Sequence, residues 1–348
     1  MQVYTAKEKT FPLENGKQLE NLTVAYHTYG EYKKGITPVI WVCHALTANS
    51  DVADWWANIF GENNILDPDK YFIVCANNLG SCYGTSSPIS LQNSSNKKYG
   101  KFFPAISIRD ITVAHIALKN YLDIDEIFLL IGGSMGGQQA MEWAIQEPNS
   151  IKNLVLLATN AKHSPWGIAF NEVQRMAIEN GKDGLEVARA IAMLSYRNYE
   201  MYERTAKPNE TVGNYGAASY QRHQGEKLAL RFDADCYHTL SSAMDSHDVG
   251  RGRNSMEAAL AKITANTLVV GIATDILFPV KEQIFLYDNI PNSSLKLIDS
   301  PYGHDGFLTE GEKINEIISE FLNGTNEKIA VNEYYFSASL ASTSNLLL

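Results

Sequence analysis

Four short apolar runs, at 39–43, 71–76, 127–131 and 154–158, recur along the first half of the chain, with helical patterns before or after most of them. A run of five or six apolar residues with no polar alternation suits a strand buried on both faces, and its alternation with helices predicts a mostly parallel sheet. Ile108, Ile111, Ile116 and Leu118 fall at roughly helical spacing, and 135–147 is a second helix candidate that Pro148 stops. Near the start, Asn15-Gly16 sits between stretches of apolar alternation spanning 11–29, a hairpin signal because both turn residues tolerate positive φ. Strand signals vanish from about 163 to 262, where 172–179, 185–194, 225–231 and 237–245 read as helices. They return at 267–272 and 294–298, with helices at 280–290 and 312–322 following. The pattern divides the chain into a core at 1–162 and 263–323, a helical insertion at 163–262 that reads as a lid, and a tail at 324–348 with no assigned role.

Composition narrows the function more than the fold. Apolar residues make up 45% of the 348 and charged residues 20%, ordinary globular usage with ample material for a core. The formal net charge of −10 repels phosphate backbones and anionic membrane surfaces, so nucleic acid is not an expected partner. No apolar run approaches the roughly 20 residues needed to span a bilayer, and the first ten residues carry no signal-peptide pattern, which makes the cytoplasm the expected compartment. Cys43, Cys75, Cys82 and Cys236 form no CxxC pair and are too sparse for a disulfide framework or zinc site; three of them, in or beside apolar strand-like runs, read as buried thiols.

The run at 127–131 leads directly into Gly132-Gly133-Ser134-Met135-Gly136-Gly137 and then into a helical stretch at 138–145. Strand, Gly-x-Ser-x-Gly and helix in that order is the context in which a tight turn projects a serine hydroxyl, the flanking glycines removing side chains that would clash. Alone the pattern is weak, since Gly and Ser at about 7% each place it by chance on the order of 0.1 times in such a chain. Its partners strengthen it. In hydrolase-fold proteins an acid and then a histidine follow the serine on loops after later strands, and here 267–272 leads into Asp275 while 294–298 leads into His304. An oxyanion hole would use the Met135 amide and one from the loop after 39–43, where Leu46 is the candidate and the neighbouring His44 reads as a turn residue.

These residues, together with His44-Ala45-Leu46-Thr47, Glu142-Trp143-Ala144, Asn171-Glu172-Val173-Gln174-Arg175, Arg231-Phe232-Asp233-Ala234, Arg251-Gly252-Arg253 and Tyr302-Gly303-His304-Asp305-Gly306-Phe307, resemble the homoserine O-acyltransferase family of the α/β-hydrolase fold from about residue 11 to residue 322. The resemblance implies Ser134 as nucleophile, His304 as base, Asp275 as its orienter, and the Leu46 and Met135 amides as oxyanion hole. It implies that Arg197 holds the carboxylate of the substrate, Asp305 its amine, and that Tyr220 lines the pocket. It implies a homodimer acting on L-homoserine and an acyl-CoA co-substrate, in methionine biosynthesis, with no bound metal or prosthetic group. Acetyl is the expected acyl group; succinyl transfer, transfer to another hydroxy amino acid such as serine, and carboxylic-ester hydrolysis are the alternatives. Arg251 or Arg253 is a candidate contact for the phosphates of coenzyme A. The segment 81–84 and the shortened 177–184 depart from the family pattern, which leaves donor and acceptor details to lid and tunnel residues.

Overall fold

The computed structural model describes residues 1–92, 95–206, 213 and 215–324. Its strands are β1 (Gln2–Thr5), β2 (Thr10–Pro12), β3 (Gln18–Glu20), β4 (Thr23–Tyr29), β5 (Val39–Cys43), β6 (Phe72–Ala76), β7 (Ile127–Gly133), β8 (Ile151–Leu157), β9 (Asn266–Ile272) and β10 (Ser293–Ile298). Eight of them form one sheet in the order β1-β4-β6-β5-β7-β8-β9-β10, parallel from β6 onward and antiparallel across β1, β4 and β6. Every residue of β5 and β6 is buried, as runs without polar alternation require when both faces are covered. Alternate residues separate cleanly: Val39, Trp41 and Cys43 face one apolar core with Leu130, Leu154 and Leu156, whereas Ile40 and Val42 face a second with Leu129, Ile131 and Val155.

The expected hairpin forms, but as its own two-stranded sheet: β2 pairs with β3 through Phe11 and Leu19, and β4 leaves it for the main sheet. Of the turn residues only Gly16 takes positive φ, at +81°, while the Asn15 side chain accepts a bond from the Lys17 amide. The edge strand β1 had no counterpart in the hydrophobic pattern.

The helices begin with α1 (Val52–Trp55), α2 (Ile108–Tyr121) and α3 (Met135–Gln146). Helix α2 opens with a capping box between Ser107 and Asp110 and buries Ile108, Ile111, His115 and Leu118, so Ile116 lies beside the buried stripe rather than on it. Between β8 and β9 come α4 (Pro165–Asn180), α5 (Gly184–Tyr196), α6 (Tyr199–Thr205), α7 (Gly216–Ala229), α8 (Ala234–Asp245) and α9 (Met256–Leu260). All four helical patterns read in this region fall here, each shorter than its helix, except that α7 ends before Leu230 and Arg231. Then α10 (Val280–Asn289), α11 (Gly306–Thr309) and α12 (Gly311–Leu322) close the core. The tail at 325–348 lies outside the described residues.

Register decides where chemistry gathers. Cys43 pairs with Gly132, Gly133 with Leu157, Leu157 with Val270 and Ile272 with Ile298, so the carboxyl ends of five parallel strands share one edge. Loops leaving that edge carry Leu46, Ser134, Asp275 and His304.

Candidate active site

Strand β7 ends at Gly133 and α3 begins at Met135, so Ser134 alone must turn the chain. It does so at φ +57° and ψ −125°, a conformation costly for a side-chain-bearing residue and held here by its surroundings. Its amide donates to the Leu157 carbonyl at 2.9 Å, and its carbonyl accepts from the Thr159 hydroxyl at 2.8 Å and the Gly137 amide at 3.0 Å. The glycines are steric necessities: a Cβ on Gly132 would overlap the Gly136 carbonyl, and one on Gly136 would overlap the Cys43 carbonyl. The motif thus brings the start of α3 against the end of β5, where the loop carrying Leu46 begins.

Asp275 follows β9 in a turn closed by its amide to the Ile272 carbonyl. One carboxylate oxygen, Oδ1, accepts from the amides of Leu277 and Phe278 at 2.8 and 2.9 Å; the other, Oδ2, lies 2.7 Å from His304 Nδ1. That division leaves the carboxylate one direction in which to act. His304 stands in a short turn after β10, stacked on Phe278 at 5.0 Å with Phe307 and Tyr196 against its other sides. With Nδ1–H given to Asp275, Nε2 keeps the lone pair. Burial pulls the imidazole's pKa down, but the charge and hydrogen bond of Asp275, with the charge of Asp305, raise it overall above the ordinary 6.5. Asp248, a carboxylate of the insertion, faces Lys162 at 2.9 Å and takes no part in this pair. Beside Asp275, burial lifts the Glu282 carboxyl to about 7, against a hydrogen bond from Asn160.

Leu46 and Met135 are buried, one after β5 and the other at the first position of α3. His44 is fully buried, its Nδ1 donating to the Ala45 carbonyl while Nε2 accepts from the Asn78 amide; burial drops its pKa to about 4, so it stays neutral and serves the loop.

A cavity of about 640 Å³ joins Leu46, Ser134, His304, Arg197 and Asp305. Arg197, just after α5, and Asp305 pair at 3.2 Å, both mostly buried, and Arg197 lies over the Tyr302 ring at 5.7 Å. Arg197 Nε is buried with no acceptor among the described residues. The remaining expectations are redistributed. Tyr220 packs edge-on against Tyr202 at 5.8 Å, and α7 instead presents Gln224 and Lys227 to the cavity. Arg251 is engaged by Glu14 at 2.7 Å and Arg253 by the buried Glu142 at 2.9 Å, so neither points a guanidinium into this space. The cavity cations to which the sequence assigned no role are Arg189, whose guanidinium lies over Tyr196 at 5.4 Å, Lys227 and Arg231. Arg189 and Lys227 stand on α5 and α7, while Arg231, the first residue of a motif quoted for the family resemblance, follows α7.

The chain matches the α/β hydrolase fold family over residues 38–311. It is 42% identical over 326 residues to the homoserine O-acetyltransferase of Cyclobacterium marinum, covering 90% of this chain and 93% of that one. Among solved structures it is similar to homoserine O-acetyltransferase from Staphylococcus aureus, with TM-score 0.80, 31% identity and coverage of 96% and 99% of the two chains. Esterase E22 superposes with TM-score 0.83 at 22% identity, over 92% of this chain and 99% of that one, a likeness of fold alone. With the nucleophile turn, the aspartate–histidine pair and relatives of this similarity along nearly its whole length, the chain belongs to the homoserine O-acetyltransferase family of the α/β-hydrolase fold.

Proposed function

We propose that the protein transfers an acetyl group from acetyl-CoA to the hydroxyl of L-homoserine through an acyl-serine. The observation that carries this reading is the meeting, in one cavity, of Ser134, the Asp275-bonded His304 and the Arg197–Asp305 pair. His304 Nε2 takes the Ser134 hydroxyl proton as Oγ attacks the thioester carbonyl. The Leu46 and Met135 amides receive the oxyanion. Collapse expels the coenzyme A thiolate, which takes the proton from His304. Homoserine's hydroxyl then gives its proton to Nε2 and attacks the acyl carbon, and Ser134 regains a proton as it leaves.

Arg197 and Asp305 give the acceptor its place. A zwitterion replaces their mutual pairing with one carboxylate on Arg197 and one ammonium on Asp305, and the unsatisfied Nε of Arg197 supplies a second donor for a bidentate carboxylate. The helices between 163 and 262 act as a lid that withholds water from the acyl-enzyme. The site works in a homodimer, as the family resemblance implies. The test is mass spectrometry of protein and products after incubation with homoserine and either acetyl- or succinyl-CoA. O-acetylhomoserine with a transient acetyl adduct on Ser134 supports the reading; free acetate as the main product overturns it in favour of ester hydrolysis, and faster succinyl than acetyl transfer reassigns the donor.

A further inference from the structure

Six of the nine arginines, Arg109, Arg175, Arg197, Arg204, Arg251 and Arg253, are paired with carboxylates. Arg189, Arg222 and Arg231 have no carboxylate partner among the described residues, and two of the three stand in the wall of the Ser134 cavity. Lys227, in the last turn of α7 and four residues before Arg231, stands in the same wall, also without a carboxylate partner among the described residues. Arg197 and Asp305 neutralise one another, which leaves Arg189, Lys227 and Arg231 facing Asp54 alone. An excess of positive charge in one cavity of a chain of net charge −10 repels itself unless an anion joins it.

Depth separates the three cations. Arg189 is half-buried and stacked on Tyr196, beside His304, whereas Lys227 and Arg231 are exposed at the rim. Arg231 is not loose: its Nη1 donates to the Thr47 carbonyl and to the Tyr83 hydroxyl, each at 2.6 Å. Both acceptors are neutral, so the guanidinium is positioned while its charge stays unspent. Thr47 adjoins Leu46, so whatever binds Arg231 also steadies the loop assigned to the oxyanion.

We propose that Lys227 and Arg231 are the receiving pair for the phosphate groups of the acyl donor, making the ligand class a phosphorylated nucleotide thioester. The inference rests on the acyl-CoA reading above and replaces Arg251 and Arg253 in that role. Arginine and lysine suit phosphate as fork and point charge respectively.

The experiment compares kcat/KM for acetyl-CoA with that for S-acetyl-N-acetylcysteamine, a thioester without phosphates, in Lys227→Gln, Arg231→Gln and the double variant. Each single change lowers the ratio of the two about tenfold, as loss of one charge-assisted contact at a partly screened site implies, and Arg231→Lys restores part of it. Calorimetric affinity for coenzyme A and for adenosine 3′,5′-bisphosphate falls in the same order. An unchanged ratio, or a double variant that binds coenzyme A as tightly as the wild type, overturns the pair. The two readings fail separately: if the wild type binds coenzyme A through these residues but transfers no acetyl group to homoserine, the proposed function falls and the phosphate pair stands.

Discussion

At the nucleophile turn the close neighbours of the chain are backbone, Thr159 and the Phe307 ring, with Gly132 and Gly136 lying where a single carbon would overlap a carbonyl. Across the cavity, α5, α7 and the residues after them present long charged side chains, of which only Arg197 has a carboxylate partner among the described residues. The first region fixes a reacting atom by steric exclusion and tolerates no alternative; the second fixes charges by flexible stems and is adjustable. Changes in the first should therefore abolish chemistry, and changes in the second should redistribute affinity between donor and acceptor.

The sharpest test of that division is Ser134→Ala. No other residue of 132–137 carries a hydroxyl, and the nearby Thr159 hydroxyl is given to the Ser134 carbonyl, so turnover should fall by about 10⁶-fold, the scale seen when a triad serine is removed, with no acetyl adduct in intact-protein mass spectrometry. Retained acetyl labelling would move the nucleophile elsewhere. Next in size is Asp275→Asn, expected to slow acylation about 10⁴-fold because the imidazole loses the carboxylate that sets its tautomer. The fold should survive, since the amide oxygen of asparagine can still accept from Leu277 and Phe278. A thermal midpoint lowered along with the rate would mean that the loop, rather than the proton transfer, had been broken.

What was legible in the sequence follows the same division. Ser134, Asp275 and His304 each stand within a few residues of an apolar strand end, so the one-dimensional pattern already places them at one sheet edge once the strands are taken as parallel. Strand β1 was invisible because only Tyr4 of its four residues escapes full exposure, leaving no apolar alternation to detect. The role of the cavity cations was illegible for another reason. Arg251 and Arg231 are both exposed arginines near helix ends, and nothing local tells that Glu14, 237 residues away, engages one while a carbonyl and a phenol hold the other. Pairing across such separations is a property of the fold.

On the adjustable side, Arg197→Lys should cost about 10- to 100-fold in homoserine kcat/KM, the loss expected when one charge-assisted contact to a carboxylate goes. Single-turnover measurements would separate the half-reactions, and transfer should slow more than acylation. A loss confined to acylation would assign Arg197 to the donor instead.

The smallest expected effect links the two regions through His304. Burial lowers its pKa, yet Asp275 first and Asp305 second outweigh that and hold it above 6.5. Acting as a base requires the neutral ring, so the acylation rate should rise with pH and reach half its maximum above pH 6.5. Stability runs the other way: a raised folded-state pKa contributes fully below the unfolded value and is lost as pH climbs through the folded one. In Asp305→Asn a negative charge leaves the neighbourhood of the imidazole and Arg197 loses the partner that neutralises it, and both changes disfavour the imidazolium. The acylation profile of that variant should therefore move to lower pH, with its plateau less affected than its midpoint. The measurement is the pre-steady-state rate of coenzyme A release between about pH 5 and 9, the range around the ordinary histidine pKa. A midpoint that stays in place would show that Asp305 acts on the acceptor alone, with no electrostatic hold on the base beside it.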